Sequence, residues 1–147
     1  MTLREAIKLG GTSAFLAKTD INAAESFVLE NEEIRYALVA NCIVNKDWTP
    51  GVVVLTNHRV FFCHANQVLA KAVQIPLTGF LQVGQVSGGM LKRVTISSPA
   101  ITLTVEGSLS PLAHLQQAVL TAIEEAPAQS PVDLPADVVL EKYTLET

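Results

Sequence analysis

Gly51-Val52-Val53-Val54-Leu55-Thr56-Asn57-His58-Arg59-Val60-Phe61-Phe62-Cys63 joins two β-rich runs through a Thr-Asn-His-Arg connection. Valine, leucine and phenylalanine in unbroken series suit a pleated, buried surface, and asparagine at the join suits a tight turn. The stretch predicts an antiparallel hairpin. It carries fold information and no spacing that belongs to a catalytic or metal-binding motif.

Upstream, Ile34, Tyr36, Leu38, Ala40, Cys42 and Val44 alternate with a second set that includes Arg35, Asn41 and Asn45, which predicts a long half-buried strand with the first set inward. Pro50-Gly51 reads as the turn into the next strand, so three strands form a meander. Downstream, runs at 68–75, 80–86, 91–97 and 101–106 are separated by Pro76, by Ser87-Gly88-Gly89 and by Ser98-Pro99. Seven short strands with regular turn signals indicate an antiparallel sandwich or barrel.

Helical periodicity flanks this β region on both sides. Thr2 and Glu5 have capping-box spacing ahead of Ala6, Ile7 and Leu9, and Gly10-Gly11 follows where a short helix would stop. A weaker helical pattern over 14–18 and 23–29 leads into Glu30-Asn31-Glu32-Glu33, read as a solvated turn. After Gly107, Ser110 suits the N-cap and Pro111 the first helical position. Leu112, Leu115, Val119, Ala122, Ile123 and Ala126 then form one apolar stripe that ends before Pro127.

The reading divides the chain into an N-terminal helical segment (1–29), the β-rich domain with its helix (30–126), and a proline-spaced linker with an apolar tail (127–147). Val138, Leu140, Tyr143 and Leu145 make that tail too apolar to be idle. It is expected to extend along a strand edge or apolar groove and to support self-association.

With 147 residues the chain is sized for one core, and its 49% hydrophobic content leaves a surplus for a subunit interface. No apolar stretch approaches the roughly 20 residues of a membrane-spanning helix. Residues 3–9 carry Arg4, Glu5 and Lys8, unlike the apolar core of a signal peptide, so the expected location is cytoplasmic. A net charge of −4 opposes nucleic acid as a partner.

Seven strands followed by one helix is the order of a pleckstrin-homology (PH)-like domain, and particular residues sharpen the likeness. The stretch from Gly51 to Phe62 resembles the "GvlvlTnkRLiF" hairpin of the YokE-like bacterial PH family. Gln74-Ile75-Pro76-Leu77 resembles that family's "sIPLdkI" strand end, and Glu32-Glu33-Ile34 its "gEei" opening. The likeness spans about residues 27–125. It implies an α+β, mainly β fold: a PH-like seven-stranded bent antiparallel sheet or barrel, capped by a C-terminal helix and preceded by short N-terminal helices. Gly79-Phe80 stands where the family has Lys-Ile or Arg-Ile, so no basic ligand residue is implied there. Most members have no assigned activity, and the resemblance leaves the ligand open.

Candidate site residues are few. Cys42 and Cys63 fall on the first and third strands, about 10 Å apart at ~4.8 Å per strand, beyond the roughly 7 Å reach of a disulfide. Two free thiols are expected. His58, His64 and His114 lack metal-ligand spacing, and no nucleophile elbow, Cys-His signature or P-loop occurs, so neither metal, cofactor nor enzymatic activity is expected. Many eukaryotic relatives hold phosphates with basic residues beside the first hairpin loop. Here that loop, 45–50, offers only Lys46 next to Asp47, at about 1 kcal/mol for a basic side chain near an anionic membrane. Lys92 and Arg93 are adjacent and point to opposite faces of a strand. Trp48 either caps the open end of a barrel or anchors a partner. The resulting expectation is a non-catalytic module that binds protein or itself as a homo-oligomer, with lipid-headgroup binding as the alternative.

Overall fold

The computed structural model describes residues 2–9, 18–44, 46–66, 68–77, 81–125 and 138–143. Helix α1 (Leu3–Leu9) opens with the expected capping box: the Glu5 N–H donates to Thr2 Oγ1 at 3.2 Å, and the Thr2 N–H donates to Glu5 Oε2 at 3.3 Å. Helix α2 (Lys18–Phe27) follows, burying Ile21, Ala23, Ala24 and Phe27. Strands β1 (Ile34–Val44), β2 (Asp47–Thr56), β3 (Arg59–Ala65) and β4 (Leu69–Pro76) form a meander. Two short strands, β5 (Gln82–Val83) and β6 (Ser87–Gly88), precede β7 (Lys92–Ser97), β8 (Thr102–Gly107), helix α3 (Leu109–Glu125) and β9 (Val139–Tyr143).

All strand pairs are antiparallel, and the sheet is a single open path β5-β7-β8-β1-β2-β3-β4-β9, with β6 paired to β7. A mainly β, bent antiparallel sheet with a long C-terminal helix and short N-terminal helices is a PH-like architecture. The 80–86 run yields only β5, with β6 after it, and the tail supplies β9, so the described strands number nine rather than seven.

The hairpin that opened the sequence reading is unbroken in its hydrophobicity because both faces of the sheet are covered. Val52, Val54, Phe61 and Cys63 pack with α1 and α2. Their neighbours Val53, Leu55, Val60 and Phe62 pack with α3 on the other side. Gly51 permits this closeness, since a Cβ there would lie 2.5 Å from the Cys63 carbonyl oxygen and 2.6 Å from the Phe62 ring.

Strand β1 departs from simple alternation. Ile34 pairs with Thr56 but Tyr36 pairs with Leu55, so two residues of β1 oppose one step of β2. This bulge at Arg35 sends Ile34 to the α1–α2 side, while Tyr36, Leu38, Ala40 and Cys42 face α3. The expectation that all six residues share one face therefore fails at Ile34, and the side chain of Val44 lies outside the described atoms.

In α3, Leu112, Leu115, Val119 and Ala122 are buried, as the stripe requires. Burying the three larger ones contributes about 1.5–3 kcal/mol each as an upper bound. The helix begins one step before the expected cap: the Leu112 N–H donates to the Ser108 carbonyl at 3.2 Å, leaving Ser110 inside the first turn. Ala126 and Pro127 lie outside the described residues.

Candidate functional site

The Thr56–Arg59 turn holds a charge. Arg59 is fully buried, and its Nε and Nη2 donate to Glu32 Oε2 and Oε1 at 2.9 and 3.0 Å. Its Nη1 donates to Gln74 Oε1 at 2.7 Å, Nη2 also donates to the Phe27 carbonyl, and Cζ sits 4.8 Å from the Phe61 ring centroid. Glu32 accepts further bonds from Thr56 Oγ1 at 2.6 Å and the Leu29 N–H at 3.1 Å. Burial pushes its carboxyl pKa up, but the bonds from Arg59, Thr56 and Leu29 outweigh that, and the net shift is downward. The acidic run is thus a solvated turn only at Glu30, Asn31 and Glu33. Glu32 points inward because Arg59 needs a buried counter-charge. Two stretches quoted in the sequence reading, Glu32-Glu33-Ile34 and Thr56-Asn57-His58-Arg59, meet here, and the Asn57 Oδ1 and N–H also bond the Glu33 backbone at 2.8 and 2.9 Å. Each charge engages the other, so the pair acts as a clamp between the end of α2 and β3–β4.

The exposed margin of this clamp is the β4–β9 edge. Pairs run from Leu69↔Tyr143 to Val73↔Val139, and the Gln74 N–H donates to the Val138 carbonyl at 2.9 Å. Leu140 packs on the α1–α2 core, Lys142 Nζ lies 4.9 Å from the Phe27 ring centroid and donates to the Ser26 carbonyl, and Lys71 faces Glu141 at 3.8 Å. Val139 remains 44% exposed. A cleft of about 280 Å³ opens between Phe27 and Leu29, the buried Arg59, and the β9 residues Val139 to Lys142. Of the expected tail residues, Val138 and Leu140 are half-buried and Tyr143 occupies its rung opposite Leu69. Leu145 lies outside the described residues.

The four candidate ligand residues come together only in part. The first hairpin turns earlier than expected: Val44 pairs with Asp47, Lys46 takes φ 79°, and Trp48 to Pro50 belong to β2. Trp48 pairs with Ile43 instead of sitting at a loop tip. It is 39% exposed, with Arg93 Cζ 4.9 Å from its ring centroid. Such an exposed cation–π contact is worth about 0.5–1 kcal/mol. Arg93 Nε also reaches Glu106 Oε2 at 3.4 Å, and Lys92 Nζ donates to the Gly88 carbonyl at 2.8 Å. Met90 and Leu91, to which no role is assigned above, are both exposed at the β6–β7 turn; an apolar pair after Gly88-Gly89 is their signal in the sequence.

Cys42 and Cys63 are free and buried, on opposite faces of the sheet. Burial pushes the Cys63 thiol up to about 12, with the Asp20 carboxylate adding to the shift, and burial raises Cys42 still further. Both are protonated at neutral pH and therefore weak nucleophiles. Among the described residues no group of three His, Cys, Asp or Glu side chains could hold a metal ion, and no helix is long and apolar enough to cross a membrane. No protein-family model matches the chain, and no curated protein matches it in sequence.

Proposed function

We propose that this chain is a non-catalytic, PH-like interaction module, akin to the YokE-like bacterial PH family, that recognises an extended segment by adding it to the β4 edge and that self-associates. The observation that carries the reading is the docking of β9: a segment beyond the helix, joined through Pro127, Pro131 and Pro135, lies antiparallel along β4 in five registered pairs. Main-chain bonding supplies affinity in such strand addition, and alternate side chains supply selectivity. Here Leu140 and Lys142 face the α2 side, while Val139 and Glu141 are exposed. Among the described residues, Glu32 and Arg59 engage one another and both thiols are buried. Two buried, protonated thiols suit a reducing, cytoplasmic setting.

Light scattering on the full chain and on a chain ending at Ala126 tests the proposal. The full chain is expected to exceed monomer mass, and removal of the tail is expected to change that mass. A monomer in both cases, with unchanged stability, overturns it. Lipid-headgroup binding has one observation on its side, exposed Met90 and Leu91 beside Lys92. Sedimentation with anionic liposomes separates the readings: the interaction module stays in the supernatant, and pelleting lost in Lys92→Ala moves the function to the lipid surface.

A further inference from the structure

We infer that β9 is an exchangeable strand, and that the β4 edge of one copy accepts the β9 of a second copy, reciprocally, to make a strand-swapped dimer. The inference rests on the self-association proposed above and specifies its contact. Three observations carry it. First, among the described residues β9 ends the sheet path and pairs with β4 alone. Second, its side-chain anchors are few: Leu140 is half-buried on the α1–α2 core and Lys142 meets Phe27 and the Ser26 carbonyl, whereas Val139 is 44% exposed and the Lys71–Glu141 pair is solvated, with side chains 44% and 54% exposed. Third, twelve residues, 126–137, separate α3 from β9 in the sequence, and a chain of twelve residues can span at most roughly 40 Å.

The occupant is a second copy rather than an unrelated peptide because the complement to this edge is written in the chain itself. Small Ala72 lies opposite Leu140, Lys71 lies opposite Glu141, and Phe27 receives Lys142. Exchange preserves every one of these contacts. Its equilibrium is therefore set by concentration and by the connecting segment, which is the usual basis of domain swapping.

Directly opposed residues in an antiparallel pair have Cα atoms about 4.5–5.5 Å apart, within disulfide range. Lys71→Cys and Glu141→Cys are exposed single variants, and the buried native thiols compete little. Equal amounts of the two are mixed, incubated and oxidised, and the products are separated without reductant. Exchange is expected to give a covalent heterodimer that increases with protein concentration and exceeds the homodimers of either variant several-fold. The double variant reports the same register within or between chains. Absence of heterodimer while the double variant bridges only within one chain overturns the exchange, as do homodimers as abundant as heterodimers. If light scattering still shows an oligomer in that case, self-association stands and only the swapped strand falls. A monomer at all concentrations removes both.

Discussion

Glu32 and Arg59 lie 27 positions apart and meet as a two-pronged ion pair whose side chains are 0% and 1% exposed. The pair joins the connection after α2 to the start of β3, and Gln74 on β4 completes the guanidinium's surroundings. An isolated charge at this depth is costly, so the two residues depend on each other.

Removing one partner leaves the other charged and buried. Arg59→Leu is expected to destabilise the protein by about 3–5 kcal/mol, measured by urea unfolding. Combining it with Glu32→Leu should cost clearly less than the sum of the two single changes. A single-variant loss below about 1 kcal/mol would show that the pair does not hold the fold.

Acid should act through the same carboxylate. Its folded pKa lies below the ordinary glutamate value of 4.5, so its contribution is fully present above that value and is lost as pH falls through the folded one. Asp20 runs the other way. Burial raises its pKa, against lowering by the Ala65 N–H and the His64 charge, so its ionisation opposes folding at neutral pH and that cost is relieved on acidification. Between pH 6 and pH 3, stability should fall less steeply in Glu32→Gln and more steeply in Asp20→Asn than in the parent. Parallel urea-midpoint profiles for all three proteins would refute the assignment.

The α3 stripe makes a plain demand. Leu115→Asp or Val119→Asp places an unpaired charge in the apolar cluster that includes Val53, Leu55 and Phe62, and neither variant should fold. Near-parental cooperative unfolding of either one, followed by circular dichroism, would be incompatible with the two-sided core.

Thiol chemistry gives a quick check of burial. Cys42 and Cys63 should resist a thiol-specific reagent in native protein at pH 8, and both should react at once in denaturant, without prior reduction. Rapid titration of either in the native state would mean that its face of the sheet opens.

Much of the architecture was legible because it is local. The Thr2–Glu5 cap and the Leu112–Leu115–Val119 stripe each depend on residues within one turn or one helix. The first hairpin misled because Pro50-Gly51 has strong turn chemistry. Pro50 is tolerated in β2 since it lies beyond the last rung shared with β3, where the strand is an edge. The two-sided burial of β2 was visible in Val52-Val53-Val54-Leu55, an apolar run without alternation, yet only the later placement of α1 and α2 discloses what covers the second face. Glu32 was illegible for a different reason: its neighbours are solvated, and the residue that draws it inward is remote in sequence. The Trp48–Arg93 contact likewise depends on sheet curvature, which no local pattern encodes.

The two faces of the sheet are also completed at different times during synthesis. Every partner of the α1–α2 face except Leu140 has been made by Ala72, and the Glu32–Arg59 clamp can close by Gln74. The opposite face, with Leu38, Val53, Leu55 and Phe62, waits for Leu112 to Ala122. At about 5–20 residues per second that interval is on the order of 2–10 s. A nascent chain stalled before α3 would present a half-built sheet with one finished side and one apolar side still uncovered.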